Sequence, residues 1–382
     1  MSQAPDSPRP EPARIGVLGA GGFLGSHLVP ALLARFGSAI DAVDVTFDKL
    51  APTPGDRVRR IQARLDRPGL LEELAGRCDV LLSLTAICTP ARYNRDPMTV
   101  IDASYTDLVP LVKLCAQQRR WLVHFSTCEV YGRRALDAEG GPAERMSEDG
   151  GALFLGPVAK ERWSYACAKQ LLERVIWAHG AHAGLPFTIV RPFNVIGPRM
   201  DFVDGVDGQG LPRVLAAFMG ALMKGDEMLL VDGGQQRRSF IYVDDFVDGV
   251  LRILERPAAC QGEIFNLGNP ANDVTIADLA RLLAVAYADR VPGAVPRMRA
   301  ASAEEVYGQG YDDSVARIPD ITKAAERFGF HPTTPLAAML APIIEDYLAR
   351  YQQRIAETRK PGGGLAVAHG AAAAKGAADH AG

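Results

Sequence analysis

The chain has 382 residues, 48% hydrophobic and 23% charged, with 42 Lys+Arg against 45 Asp+Glu for a net charge of −3. That length holds one large enzyme domain or two closely packed ones, and a core of this size needs neither metal nor disulfide support. The near-neutral balance argues against nucleic acid or an anionic membrane as the main partner, since both demand a basic excess, and no apolar run approaches the ~18 residues of a membrane span.

The opening Met1–Ala13 is Pro-rich and polar and lacks the basic-then-apolar layout of a secretion signal, so a cytoplasmic protein is expected. Residues 1–12 read as a disordered tail. Arg14–Ala20 is a short apolar run that breaks into glycines, and Phe23–Phe36 then shows helical spacing through Leu24, Leu28, Ala31 and Leu32. Strands are expected at Ala39–Val45, Val58–Leu65, Asp79–Ala86, Trp121–Thr127 and Pro186–Phe193, the last two each preceded by a helical stretch. Continuous apolar runs alternating with helices imply an α/β fold, a doubly wound parallel sheet covered on both faces. Past residue 195 the alternation loosens. Gly197–Gly210 reads as a long Gly/Asp loop, Val214–Met223 as a helix, Phe240–Tyr242 as a short strand, and Phe246–Glu255 and Thr275–Ala288 as helices. The expected layout is a Rossmann domain over 13–195 with later pieces around 237–268, and a smaller α/β lobe over 196–236 and 269–358. Residues 361–382 contain nine Ala and six Gly, so 359–382 reads as a second disordered tail.

Six cysteines stand at 78, 88, 115, 128, 167 and 260, none in C-x-x-C spacing and none at a ligand-like interval from histidine. Neither a zinc site nor a disulfide framework is indicated, and the expected metal content is none.

Gly19-Ala-Gly-Gly22-Phe23-Leu24-Gly25 follows the first strand and opens the first helix. Glycines at 19, 22 and 25 let the backbone turn tightly and approach a pyrophosphate at the helix N-terminus. Asp44 ends the second strand 25 residues after Gly19; an acid there accepts ribose hydroxyls and repels a 2′-phosphate, so NAD is expected over NADP.

The Gly-x-x-Gly-x-x-Gly spacing, with Tyr165 and Lys169 later, resembles the extended short-chain dehydrogenase/reductase superfamily. Tyr165 and Lys169 are four apart in an expected helix and share one face. The ammonium is expected to stabilise a tyrosinate, lowering the phenol below its usual ~10. Thr127, ending the fifth strand, supplies the hydroxyl that this superfamily places beside the tyrosine. Simple epimerases of the superfamily carry small residues where Cys128 and Glu129 stand, which makes Glu129 a candidate general acid/base. Arg317 suits a substrate carboxylate, with Asp313 four residues earlier placed to aim it. From the residues alone, that pair is equally a surface ion pair; the resemblance favours a site.

The resemblance extends over about 14–350. It is carried by Ala86-Ile-Cys-Thr-Pro-Ala-Arg-Tyr-Asn94, Phe125–Gly132, Arg162-Trp-Ser-Tyr-Ala-Cys-Ala-Lys-Gln170, Arg191-Pro-Phe-Asn194 and Tyr307–Pro319. These look like the UDP-glucuronate-decarboxylating branch, which contains the decarboxylase domain of the bacterial polymyxin-resistance enzyme and the UDP-apiose/UDP-xylose synthases. Cysteine at both 88 and 128 makes the synthases the nearer match. Val195 departs from the tryptophan usual after Asn194, Val315-Ala316 replaces a polar pair, and the tails and a formyltransferase domain have no counterpart.

The resemblance implies NAD-dependent oxidation of UDP-glucuronate at C4, loss of the carboxylate, and either reduction to UDP-xylose or retro-aldol ring contraction to UDP-apiose. Tyr165, Lys169, Thr127, Glu129 and Arg317 would be catalytic, with Cys88 and Cys128 supplying acid/base groups for the contraction or else packing under the nicotinamide. Tyr93 would face cofactor and substrate, and Asn194, Arg213, Arg238 and Tyr311 match positions that contact the nucleotide sugar. Of the adjacent Arg237 and Arg238, one is expected to be solvated. Decarboxylation that stops at UDP-xylose or UDP-4-keto-pentose is the enzymatic alternative. A non-catalytic NAD-sensing regulator is the other, although such proteins usually lose the Tyr/Lys pair. The resemblance also implies a homodimer formed through helices around 100–118 and 162–180.

Overall fold

The computed structural model describes residues 12–53, 55–93, 95–133, 145–150, 155–307 and 313–358. Six strands enter in chain order: β1 (Arg14–Leu18), β2 (Ala39–Asp44), β3 (Val58–Gln62), β4 (Val80–Ser83), β5 (Trp121–Phe125) and β6 (Phe187–Pro192). With Glu263–Leu267 they form one seven-stranded sheet in the order Glu263–Leu267, β6, β5, β4, β1, β2, β3. Every pairing in it is parallel. The chain reverses direction across the sheet between β1 and β4, the crevice where doubly wound folds bind ligands.

Side chains alternate between two cores, as the two-residue strand period requires. Ile15, Val17, Val80 and Leu82 join the Phe23–Arg35 and Val243–Glu255 helices on one face. Leu18 and Leu81 join the Leu70–Arg77, Val109–Gln118 and Ser164–Ala183 helices on the other. The strands stop one to three residues short of the apolar runs that announced them. β4 ends at Ser83 rather than Ala86, because its neighbour β1 ends at Leu18 and the chain turns at Gly19. The residues thus released, 84–86 and 126–127 among them, leave the sheet at its carboxyl edge. The link from β2 to β3 carries no helix among the described residues.

The lobe packs the helices Val214–Lys224, Ile276–Ala288 and Leu336–Thr358 around Phe218, Met219, Leu279, Leu283, Met339 and Tyr347. One segment of the expected lobe range lies elsewhere. Thr322–Phe328 packs on the sheet, where Phe328 meets Phe265 edge-on at 4.9 Å between ring centroids. Its apolar face is complementary to the outermost strand, an affinity that chain position does not reveal. A small three-stranded sheet sets Arg237–Ser239 between Asp273–Thr275 and Ala316–Arg317, so that Arg317 lies beside Arg238 in register. Of the expected tails at 1–12 and 359–382, residues 1–11 and 359–382 lie outside the described residues, as does Tyr311. No helix among the described residues is long and apolar enough to cross a membrane.

Candidate active site

Four loops leaving the carboxyl ends of the strands, together with the lobe, build the site. After β1, Gly19 adopts φ +89°, and Gly19 N and Ala20 N donate to Val43 O at 2.8 and 3.1 Å. A Cβ on Gly25 would lie 2.3 Å from Gly19 O, so the first helix can approach the turn only with glycine there. Asp44 at the end of β2 accepts from Gly21 N at 2.9 Å and from Val45 N at 2.7 Å. Burial raises its pKa, and those N–H groups offset part of the rise. Gly22 is exposed at the helix start, Phe23 and Leu24 are half-buried, and the guanidinium of Arg213 lies over the Phe23 ring at 5.7 Å.

Tyr165 and Lys169 occupy successive turns of the Ser164–Ala183 helix, and both are buried. The expected electrostatics do not hold in this state. Lys169 donates to Phe125 O at 2.9 Å, while the Tyr165 hydroxyl lies 3.4 Å from Cys88 Sγ. Tyr93 stacks on Tyr165 at 5.0 Å and 13°. Burial first, then Cys88 and Tyr93, hold the phenol well above its ordinary range rather than below it. Four residues of helix align two side chains, but the ammonium goes to the Phe125 carbonyl at the end of β5.

Burial also lowers Lys169 to about 8, against weaker support from Cys88 and Glu173. The ammonium therefore disappears as pH rises through about 8. Turnover is expected to fall above that point in a pH–rate profile, and Lys169→Arg, which stays charged, should move the limb upward. Stability has the opposite sign. The unfolded lysine holds its proton to its ordinary, higher pKa, so unfolding takes up a proton across that window and the fold gains stability as pH rises. An alkaline limb unmoved in the arginine variant would assign it to another group.

Thr127 caps the turn Cys128–Tyr131 by accepting from Glu129 N at 3.2 Å. The turn aims Glu129 into a charged cluster. Arg162 donates to Glu129 through both Nη atoms at 2.6 and 3.1 Å, and Arg317 Nη1 donates to it at 3.3 Å. Arg317 also donates to Asp313 at 2.5 Å and to Ser314 Oγ at 2.7 Å, and Arg238 donates to Asp313 at 2.7 Å. The cluster is tied together by an Arg162–Asp313 pair at 3.6 Å. Burial alone would raise Glu129, but the Arg162 and Arg317 charges outweigh it and hold the carboxyl below its ordinary value. Asp313 is also held well below the usual carboxylate range, because Arg238, Arg317 and Arg162 overcome its burial. Glu129 thus rests as an anion held between two arginines, the form in which a general acid/base accepts a proton. It can deliver a proton only after an arginine is drawn away. Three guanidinium groups meet two carboxylates, leaving one net positive charge in a buried pocket, which suits an anionic substrate group.

Arg162 belongs to the Arg162–Gln170 motif, and the sequence by itself assigns it no role. Its signal was its place three residues before Tyr165 at the helix entrance, where it also lies over the Tyr93 ring at 5.3 Å. The two cysteines part company. Cys88 is exposed and touches the Tyr165 hydroxyl; Cys128 is buried among Val130, Tyr131, Met146 and Phe193, and burial pushes its thiol up.

A cavity of about 760 Å³ opens between sheet and lobe, reached by Cys88, Glu129, Asn194, Arg213, Arg238 and Arg317. Asn194 adopts φ +38° and donates to Ser239 O at 2.9 Å. Arg213 starts the Val214–Lys224 helix and pairs with Asp201 at 2.7 Å. Arg238 is the buried member of its pair, whereas Arg237 is exposed and bound to Asp273. Val195 is buried, paired with Ile241, and lines the cavity in place of a larger ring.

Residues 15–268 match the model of the NAD dependent epimerase/dehydratase family. The chain belongs to that family. A UDP-D-apiose/UDP-D-xylose synthase of Oryza sativa subsp. japonica is 43% identical over 364 residues, covering 90% of this chain and 91% of the relative. UDP-D-apiose/UDP-D-xylose synthase 1 of Arabidopsis thaliana is 42% identical, covering 92% and 95%. Among solved structures, the PbgP3 protein of Burkholderia pseudomallei superposes with a TM-score of 0.78 at 32% identity, covering 90% of this chain and 98% of that one.

The residues present fit the family's cofactor, NAD. The glycine turn presents backbone N–H groups at a helix start, where a pyrophosphate is held. Asp44 stands where the adenosine ribose would lie. Thr85 Oγ1 and Ser126 Oγ, just past β4 and β5, are buried without a hydrogen-bond partner among the described residues. Buried hydroxyls without partners cost about 1–3 kcal/mol each, so a polar ligand at this edge would relieve both.

Proposed function

We propose that the protein converts UDP-glucuronate, through a UDP-4-keto-pentose, to UDP-apiose and UDP-xylose. The observation that carries this reading is the buried Arg162–Glu129–Arg317–Asp313–Arg238 cluster, one positive charge in excess, beside Tyr165 at the switch point of the sheet. An oxidoreductase acting on a neutral sugar has no use for that charge. The named relatives support the same substrate.

NAD, when bound, supplies the hydride acceptor at C4 and returns the hydride later, so no net oxidant is consumed. Tyr165 takes the C4 hydroxyl proton, and Arg317 holds the C6 carboxylate. The resulting ketone is β to that carboxylate, so the C5–C6 bonding electrons flow into an enolate as carbon dioxide leaves. Tyr165 and Thr127 donate hydrogen bonds to the enolate oxygen. One proton enters at C5 for each carbon dioxide released. While Arg317 holds the carboxylate it is drawn from Glu129, and the loosened cage allows Glu129 to take part in proton traffic. Ring contraction requires the C2–C3 bond to break into a C2 aldehyde and a C3–C4 enediolate, protons to pass between the enediolate oxygens so that C4 bonds to C2, and the C3 aldehyde so formed to be reduced; for that proton traffic Cys88, in reach of Tyr165, is the better placed of the two thiols.

Incubation with UDP-glucuronate and substoichiometric NAD, followed by NMR of the products, tests this reading. Both pentoses are expected, and Cys88→Ala should lower the apiose-to-xylose ratio more than Cys128→Ser. UDP-xylose alone from the unaltered protein would leave decarboxylation standing and remove the contraction.

The protein is further proposed to act in the cytoplasm as a homodimer. Supporting the dimer, Met98, Leu171 and Trp177 are 66%, 47% and 50% exposed on the helices expected to pair. Light scattering should give twice the chain mass, and a monomer would dismiss this assembly.

A further inference from the structure

Arg95 lies between the short helix Pro90–Tyr93 and the helix Pro97–Ser104, exposed at the mouth of the cavity. Its Nη1 stands 3.3 Å from where a Cβ on Gly210 would be, so it spans from the sheet domain to the lobe loop. Gly210 adopts φ +92° and donates from its N to Asp204 Oδ1 at 2.8 Å, which holds the loop against that guanidinium. Each of the other arginines of the cavity has a carboxylate partner, Arg162 and Arg317 sharing Glu129, Arg238 on Asp313 and Arg213 on Asp201, and the one unbalanced charge of that cluster is taken by the substrate carboxylate. Arg95 has no carboxylate partner among the described residues. Lys224, the remaining cation of the lining, donates to the Asp204 carbonyl and shares its end of the cavity with Asp226 and Glu227.

A UDP-sugar brings a diphosphate of two negative charges into a cavity whose inner arginines are engaged. We propose that Arg95 is a substrate-binding residue that grips this diphosphate from the sheet side and bridges the mouth of the cleft once the nucleotide is bound. The assignment rests on the UDP-sugar reading above and adds a residue which that reading does not contain. A planar guanidinium suits two phosphate oxygens at once, and an exposed one contributes most at low salt.

The test is calorimetric titration of the full-length, NAD-loaded protein with UDP and, separately, with uridine. Arg95→Gln is expected to weaken UDP about tenfold, with Arg95→Lys intermediate and the loss shrinking as salt rises. Uridine, which carries no phosphate, should bind both forms alike. With UDP-glucuronate, KM should rise about tenfold while kcat stays within about twofold. UDP binding that is indifferent to Arg95, or uridine weakened as much as UDP, overturns the inference alone. An unaltered protein that binds no UDP overturns the substrate assignment and this inference with it.

Discussion

Replacing Tyr165 with phenylalanine should cut carbon dioxide release from UDP-glucuronate by about 10³-fold or more, the scale of losing a positioned acid/base group together with an oxyanion donor. The change removes one oxygen and leaves the ring, which Tyr93 stacks upon at 5.0 Å, in place. Among the described residues the polar neighbour given up is Cys88 Sγ at 3.4 Å, so fold and NAD affinity should be unaltered. Trapped ¹⁴C-carbon dioxide from carboxyl-labelled substrate measures the loss directly. Undiminished release would mean that no ketone at C4 precedes decarboxylation, and the mechanism would fail. The raised pKa of this phenol gives the prediction an added edge. Burial, Cys88 and Tyr93 raise the phenol more than Lys169, bound to Phe125 O, can lower it.

Arg191→Met should destabilise the protein by about 3–5 kcal/mol, the cost of leaving a buried carboxylate without its partner. Arg191 on β6 donates to Glu173 through Nε at 3.0 Å and Nη2 at 2.6 Å, and both residues are buried. Its Nη1 donates to the Tyr131 hydroxyl at 2.8 Å, which in turn donates to Asn266 at 2.7 Å. Glu173 sits one turn beyond Lys169, so this pair fixes the catalytic helix against the sheet. The double variant Arg191→Met/Glu173→Met removes both charges and should recover most of the loss, because two apolar side chains can fill the space without an unpaired ion. Denaturation midpoints in guanidinium chloride compare the three proteins. Equal loss in the single and double variants would assign the effect to packing.

Local chemistry was legible from the chain. The glycines at 19, 22 and 25, the acid ending β2 and the Tyr165/Lys169 spacing each depend on a few consecutive residues, and the structure puts all of them at one edge of the sheet. Element types followed for the same reason, while strand ends shifted where a neighbour in the ladder stopped. Even the choice between Arg237 and Arg238 was posed correctly. It was resolved only by the strand Ala316–Arg317 lying alongside, which brings Asp313 to the inner arginine.

The sequence by itself determined the class of fold, the cofactor turn and the inventory of charged groups for the reaction. Tertiary structure decided how those charges are paired. Arg162 and Arg317 stand 155 positions apart in the chain yet clasp the same Glu129, and that contact holds the carboxyl of the candidate general acid/base below its ordinary range. Periodicity and turn chemistry are encoded over a few residues, whereas the energy of a buried charge is set by every group within several ångströms, whichever part of the chain supplies it.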